Sequence, residues 1–475
     1  MTLVPRHPTY RLITLTFFFA GLTHLWLADA WQDSWIPGNL FFGAGLLLLL
    51  IRPGALAWAL CAVGKLLPLL FARDHLVQSL LLLLFSSSGA LLVGLHAYAS
   101  TWPARFQTYR TEYGEISRYL WAFFDLLRLL TIATYGLATL HKLNRDFFNP
   151  EVSCATHGIN RLLQYYGIAP ISLGPEGLAL ALFVIFLEGS IALLYLLGAR
   201  RQALIAALIF HIPLTLTMAP AFAFVMLIGH AAFLRPVDLR VFRAFLRRRG
   251  LLGALLATAI TAVSVFFAQQ LQDWTMVPRE FLLWFLLFLA FFARPYVPRL
   301  NPAPGQTLPT SSPLRGPRLL VRLLALAFLL QGLTPYLGVK FQHTGAMVSN
   351  LRIDEGCWNS LIFPESFRIE DRYIRIDQGY FGAPGRIPRY EAILTDQLWN
   401  GTMVRQMQKN WCRPNTRPFY IAGTYRDRSF EIADLCAEDL PWPFADDGIF
   451  GVELFPEAIL FQRNLLRECP QRCMH

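Results

Sequence analysis

The chain has 475 residues, 55% of them hydrophobic and only 15% charged, with a mean hydropathy of +0.42. Soluble domains are nearer one quarter charged, roughly 25%, so this composition excludes soluble, collagenous and disordered classes and points to an integral membrane protein. The formal net charge of +11 is no nucleic-acid signature. Residues 339–475 hold 16 Lys+Arg against 18 Asp+Glu, which leaves 26 basic and 13 acidic residues in the first 338. A basic excess confined to apolar sequence orients helices, and no nucleic-acid partner is expected.

Apolar runs approaching the about 20 residues that span a bilayer recur through the first 338 positions. In chain order they predict helices at 11–28, 38–51, 55–71, 78–99, 119–142, 177–199, 202–217, 220–234, 251–269, 281–295 and 319–337. Several are short or share a hairpin, so the expected fold is a polytopic α-helical membrane protein of about nine to eleven spans. The first run also has the layout of a signal peptide, with Arg6 and Arg11 before an apolar core and Ala28-Asp29-Ala30 after it. Because many spans follow and no soluble domain does, it is expected to stay as the first helix.

Arginine placement sets the orientation. With a cytoplasmic N-terminus, the inner segments take Arg52, Arg105, Arg110, Arg118, Arg200, Arg201 and the runs Arg235 to Arg249 and Arg294 to Arg318. The opposite loops at 29–39, 72–77, 144–175 and 270–280 hold no more than two arginines each. An odd number of spans then puts residues 339–475 outside, in the periplasm of a cell whose inner membrane holds the helices.

The cysteines agree with this topology. Cys357, Cys412, Cys436, Cys469 and Cys473 fall in the terminal domain and Cys154 in the outer 144–175 loop, whereas Cys61 alone sits in a span. An oxidising compartment suits disulfide stapling, and six thiols allow 15 pairings, which spacing alone leaves open. Cys469-x-x-x-Cys473 is not spaced as a redox C-x-x-C, and His475 is the one histidine near these cysteines, so no metal site is expected. The terminal domain itself reads as β-rich. Phe367-Arg368-Ile369-Glu370, Tyr373-Ile374-Arg375-Ile376, Pro418-Phe419-Tyr420-Ile421 and Ser429-Phe430-Glu431-Ile432 alternate between apolar and polar residues, which predicts a sandwich of short strands. Asn400-Gly401-Thr402 has the spacing of a glycosylation sequon.

Ionisable groups inside spans are costly, and each is a functional candidate. Lys142 stands out because the chain has 38 Arg and only four Lys: Lys65, Lys142, Lys340 and Lys409. It ends the fifth run, in Tyr135-Gly136-Leu137-Ala138-Thr139-Leu140-His141-Lys142. One reading is an amine reaching the headgroups; the other is a lysine desolvated in an apolar pocket and able to accept a proton. Arg128 lies 14 residues earlier, about 21 Å along the helix. Glu188 in the sixth run is its expected ion-pair partner, with Asp125 as a rival. His75 follows Asp74 in the second outer loop, and His211 follows Phe210 with Pro213 and Pro220 expected to break the helix beyond it. His24, His96 and His230 read as structural.

No H-E-x-x-H, P-loop, di-iron histidine cluster or dinucleotide fingerprint is present, and Gly189-Ser190 has no histidine partner for serine proteolysis. Nor do the ionisable groups recur in both halves as in a repeat-built transporter. They gather between residues 75 and 211.

Tyr135-Gly136 through Lys142-Leu143-Asn144, ending Asp146-Phe147, resembles the Y-x-x-A-G-x-x-K-L signature of the vitamin K-dependent γ-carboxylase-like (HTTM) membrane family. Phe210-His211 followed by Val225-Met226-Leu227 is similar to that family's second signature. Val348-Ser349-Asn350-Leu351-Arg352 with Trp358-Asn359 resembles the start of the outer domain in bacterial members. The resemblance implies that Lys142 is the base that deprotonates a reduced naphthoquinone of the vitamin K or menaquinol type, with His75 supporting addition of CO2. It also implies that His211 and His141 line the cofactor pocket and that Arg128 and Glu188 form a structural pair. The expected partners are membrane lipid, the quinone pool and a secreted peptide substrate. The alternative expectation is a non-carboxylating maturation or export factor for such a peptide.

Overall fold

A computed structural model describes residues 8–26, 36–51, 53–71, 86–90, 108–111, 114–165, 167–217, 220–235, 238–239, 315–338, 344–346, 348–369, 373–385, 387–399, 404, 407–408, 411–412, 418–425, 428–437, 465–470 and 473. The expected helices at 251–269 and 281–295, most of 78–99, the residues Asp74, His75, His96 and Asn400, and the side chain of His24 lie outside that set.

The apolar runs form helices: α1 (Pro8–Trp26), α2 (Ile36–Ile51) and α3 (Ala55–Phe71) come first. A short antiparallel hairpin of β1 (Thr108–Thr111) and β2 (Gly114–Ser117) leads into α4 (Arg118–Lys142). The segment after α4 then folds into α5 (Arg145–Phe148) and α6 (Cys154–Tyr165), which hydropathy did not reveal. They are followed by α7 (Pro175–Leu196), α8 (Arg200–Thr217) and α9 (Pro220–Phe233), and later by α10 (Arg315–Leu333), which tightens into a 3₁₀ turn at Thr334–Leu337. Pro213 does not end its helix, since α8 runs on to Thr217; one missing backbone donor leaves the later turns' bonds intact. Pro175 and Pro220, by contrast, start α7 and α9, where the missing donor would be unpaired anyway.

Among the described residues, three helices are long and apolar enough to cross a membrane: Leu120–Lys142, Pro175–Leu196 and Leu319–Leu337. The first is central. α4 packs against α7, α9 and α10, while α1 packs against α9 and α2, and α2 against α3. One apolar core joins them, including Phe17, Phe42, Trp58, Phe124 and Leu130. α7 instead turns Leu182, Phe183, Phe186 and Leu196 outward, with Phe186 73% exposed. Its end is set by Gly198 at φ 76°. There Ala199 N–H donates to the Leu194 carbonyl at 2.8 Å and Gly198 N–H to that of Tyr195 at 3.1 Å. This left-handed glycine cap turns the chain straight into α8.

Among the described residues, the C-terminal part forms one five-stranded antiparallel sheet and not the expected sandwich. Its order is β6-β5-β3-β4-β7, built from β3 (Ile374–Phe381), β4 (Gln397–Trp399), β5 (Phe419–Tyr425), β6 (Arg428–Ile432) and β7 (Leu465–Leu466). Strand β5 alternates strictly between buried and partly exposed positions. Its inner face, with Ile374 and Ile376 of β3, is covered by Leu394 of α11 (Pro388–Thr395) and by Val404 and Met407. A helix thus takes the place of the second sheet. Of the expected strand at 367–370, the described residues 367–369 form no strand: Glu365–Phe367 is a 3₁₀ turn.

Candidate functional site

The end of α4 and the start of the C-terminal domain are joined by a buried polar knot. The Asn144 side chain caps α5 by accepting from Phe147 N–H at 2.9 Å, and its amide donates to the carbonyls of His141 (2.8 Å) and Ser349 (2.5 Å). Asn359 donates to the Asn350 carbonyl at 2.8 Å and accepts from Arg352 N–H at 2.8 Å. Asn350 in turn accepts from Cys154 N–H at 2.6 Å. Arg352, fully buried, grips Asp354 through two bonds of 2.8 Å and reaches the Glu468 carbonyl at 2.9 Å. Ser349, Asn350, Arg352 and Asn359, which the sequence singled out only as a resemblance, thus hold the C-terminal domain on the Lys142 end of the bundle.

Disulfides reinforce this joint. All six expected cysteines pair, as Cys154–Cys473, Cys357–Cys469 and Cys412–Cys436, and Cys61 is a buried free thiol. The first bridge joins residues 319 apart in sequence and ties the start of α6 to the C-terminal end of the chain.

Lys142 is 5% exposed at its side chain and donates to Glu188 Oε2 at 2.7 Å, with Glu188 equally buried. A second, longer bond of 3.4 Å runs to the Ala138 carbonyl, so the lysine folds back along its own helix. The expected Arg128–Glu188 pair is therefore corrected. Glu188 is level with Lys142, while Arg128, about 21 Å away along α4, donates to Asp125 at 2.9 Å and to the Ala232 carbonyl at 2.9 Å. Arg128 belongs to the opposite end, where a cavity of about 480 Å³ is lined by Asp125, Arg128, Tyr195, Arg200 and Arg322 among others.

His141 does not face the same way as Lys142. Its Nε2 donates to the Thr344 carbonyl at 3.1 Å and its Nδ1 shares a 3.0 Å bond with the Tyr336 hydroxyl, so both ring nitrogens are engaged by the protein. His211 lies deeper and shares a 2.5 Å bond with the Tyr135 hydroxyl. That hydroxyl also meets His230 Nε2 at 2.8 Å, and His230 Nδ1 meets the Tyr195 hydroxyl at 2.7 Å. Sequence reasoning identified only His211 in this group. The missed signal is a shared seam: Tyr135 and Lys142 on α4, and Tyr195 and Glu188 on α7, are each seven residues apart, about 10 Å at 1.5 Å per residue. In antiparallel helices that spacing sets Lys142 opposite Glu188 and Tyr135 opposite Tyr195.

Close approach makes the seam. A Cβ on Gly229 would fall 1.8 Å from Thr131 Oγ1, so only glycine lets α9 come near enough for the adjacent His230 to reach Tyr135. Between the two polar layers, Thr139 Oγ1 is buried with no hydrogen-bond partner among the described residues, and Gly189 faces its methyl group. Beside it, Leu129 and Gly136 form an exposed stripe on α4, with open space around Gly136.

A second buried lysine escaped notice as a site. Lys65, 2% exposed, places its ammonium 3.7 Å from the centre of the Phe42 ring, a cation–π contact. Among the described residues, no group of three or more His, Cys, Asp or Glu side chains is gathered as metal ligands would be. His75 lies outside those residues. No family model matches the chain, and neither a curated protein nor a solved structure matches it.

Proposed function

We propose that the chain is a polytopic α-helical membrane protein of about nine to eleven spans, with residues 339–475 on the extracytoplasmic side, and that it is a quinol-dependent, carboxylase-like enzyme using Lys142 as its base. The observation that carries this reading is the Lys142–Glu188 pair, two ionisable groups 2.7 Å apart and almost wholly buried in an apolar bundle. Such a pair is poor stability engineering and marks a functional position when it lies within the membrane. The outward-facing Leu182, Phe183 and Phe186 of α7 support the membrane setting, because that surface suits lipid better than water.

The pair has a chemical use. One proton passing along its 2.7 Å bond from Nζ to Oε2 turns an ion pair into a neutral amine beside a neutral acid, at no change in net charge. Lys142 then holds a free lone pair, and Glu188 stores the proton. The open, apolar stripe of α4 at Leu129 and Gly136 fits a flat, lipid-borne ring approaching from the bilayer, with the Thr139 hydroxyl between that stripe and the lysine. A reduced naphthoquinone bound there would supply, with oxygen, the strong base needed to remove an unactivated carbon-bound proton. The chain's own residues take the first proton and exclude water from the site.

A second reading, a maturation or export factor for a secreted peptide, is favoured by exposed Leu361, Ile362, Phe367 and Ile369 on the outer domain, an apolar surface suited to a peptide.

The deciding experiment supplies purified protein in nanodiscs with reduced naphthoquinone and oxygen and looks for quinone epoxide by mass spectrometry. Epoxide from the parent that is lost in Lys142→Ala supports the enzyme. Folded parent protein that yields none, with menaquinol and ubiquinol also tried, overturns that reading in favour of the second.

A further inference from the structure

Four buried groups deeper in the bundle take no part in the chemistry assigned to Lys142. Tyr195, His230, Tyr135 and His211 come from α7, α9, α4 and α8, and they form one line of bonds of 2.7, 2.8 and 2.5 Å. None is more than 7% exposed. We propose that this line is a proton relay between the cavity beside Asp125 and Arg128 and the bundle interior next to the Lys142–Glu188 pair.

The hydrogen count is what separates a relay from a static network. A neutral imidazole has one N–H and one bare nitrogen, and a phenol has one O–H. In one setting Tyr195 O–H donates to His230 Nδ1, His230 Nε2–H donates to the Tyr135 oxygen, and Tyr135 O–H donates to His211 Nε2. In the other, His211 Nε2–H donates to Tyr135, Tyr135 O–H to His230 Nε2, and His230 Nδ1–H to Tyr195. Both settings satisfy all three links with every ring neutral. A proton delivered to Tyr195 therefore passes by three successive hops. Each group gives up one proton as it gains another, one proton leaves at the His211 end, and the line is left in the reversed setting. No oxidant or reductant is needed.

One end opens on the cavity, and an inner link, Tyr135, lies on the seam that also holds the Lys142–Glu188 pair. Tyr195 lines the 480 Å³ cavity together with Asp125, Arg128, Arg200 and Arg322, so the line begins where polar groups gather at the bundle end. Tyr135 lies seven residues before Lys142, one layer along the same α4–α7 seam, and the buried Thr139 hydroxyl stands in the interval. Run in reverse from the second setting, the same three hops carry a proton from the His211 end out to Tyr195 and the cavity, the direction that a base shedding a proton in a dry interior needs. The relay nevertheless rests on the Tyr–His geometry alone and does not depend on a quinol as substrate.

The test is nitrogen NMR of the full chain in lipid nanodiscs with labelled histidine and tyrosine. His230 is identified without mutation, because it alone among the described histidines lies against two tyrosine rings, Tyr135 and Tyr195. The relay requires His230 to populate both neutral tautomers in exchange, and Tyr195→Phe, which removes a single hydroxyl, to abolish the exchange and leave one tautomer. A single fixed tautomer in the parent, over the whole range in which it stays folded, overturns the relay and leaves a purely structural network. So does exchange that persists unchanged in both Tyr195→Phe and Tyr135→Phe. None of these outcomes depends on whether epoxide forms, so the relay and the enzyme reading fail separately.

Discussion

Removing Lys142 alone should destabilise the protein far more than removing Lys142 and Glu188 together. At 2.7 Å the two charges attract by about 6 kcal/mol for an effective dielectric of about 20, which offsets a desolvation cost of several kcal/mol per ion. Lys142→Ala strips away the attraction but leaves the Glu188 carboxylate buried at 5% exposure, and the expected loss is about 3–5 kcal/mol. Replacing both with apolar residues of similar volume, Lys142→Met with Glu188→Leu, removes the desolvation cost as well. That variant should unfold within about 1 kcal/mol of the parent. The assay is denaturant unfolding in mixed micelles, followed by tryptophan fluorescence, for the parent, both single variants and the double. A double variant no more stable than Lys142→Ala would refute the reasoning, because the cost would then come from lost packing and not from a stranded charge. Single variants as stable as the parent would refute it from the other side. The folded double variant is a second inactive control for the epoxide assay beside folded Lys142→Ala, because it lacks the amine without stranding a buried carboxylate.

Gly229→Ala should force α9 away from α4, since its Cβ would stand 1.8 Å from Thr131 Oγ1; a cost of about 1–3 kcal/mol is expected, and His230 should lose its NMR contact with Tyr135. Non-reducing peptide mapping should recover Cys154 with Cys473, Cys357 with Cys469 and Cys412 with Cys436, and Cys154→Ser should cost about 2–5 kcal/mol and expose the outer loop to protease. Burial alone would raise the Asp238 carboxyl, but hydrogen bonds from the Arg235 side chain and backbone and the charges of Arg235 and Arg201 outweigh it and hold the group below the usual carboxylate range. Its stabilisation is therefore present above the unfolded carboxylate pKa and lost as pH falls through the lower folded value, and Asp238→Asn should remove that part of the acid dependence in unfolding titrations.

Hydropathy was enough to locate the helices, because each run from α1 to α4 and α7 to α10 is apolar over a length no loop would carry. It missed α5 and α6, whose residues between Arg145 and Tyr165 are mixed in character and helical through caps and contacts made elsewhere, Asn144 above all. Strand alternation located β3, β5 and β6, but it cannot tell a facing sheet from a facing helix, and α11 took the place assigned to a second sheet. Lys142 was legible because lysine is rare in this chain. The partner of Glu188 was not, since charge balance between two runs leaves their relative shift open, and a 14-residue error along α4 exchanged Lys142 for Arg128. The partners of His230, which reads as structural, were hidden for the same reason: only the packing of three helices brings Tyr135 and Tyr195 to its ring.

The seam between α4 and α7 binds the two polar layers into one device. Tyr135 to Lys142 and Tyr195 to Glu188 are equal steps taken in opposite directions, so any relative shift of the helices that breaks one layer breaks the other. Each step is close to two turns at 3.6 residues per turn, which keeps both layers on one face. Inserting one alanine between Glu188 and Tyr195 would rotate the far part of α7 by about 100°, carrying Tyr195 off the seam while leaving Glu188 opposite Lys142. Such a variant should keep the ion pair and its contribution to stability yet lose the tautomer exchange at His230. If the exchange survived the insertion, Tyr195 would not be its terminus and the cavity at that end would not be its source.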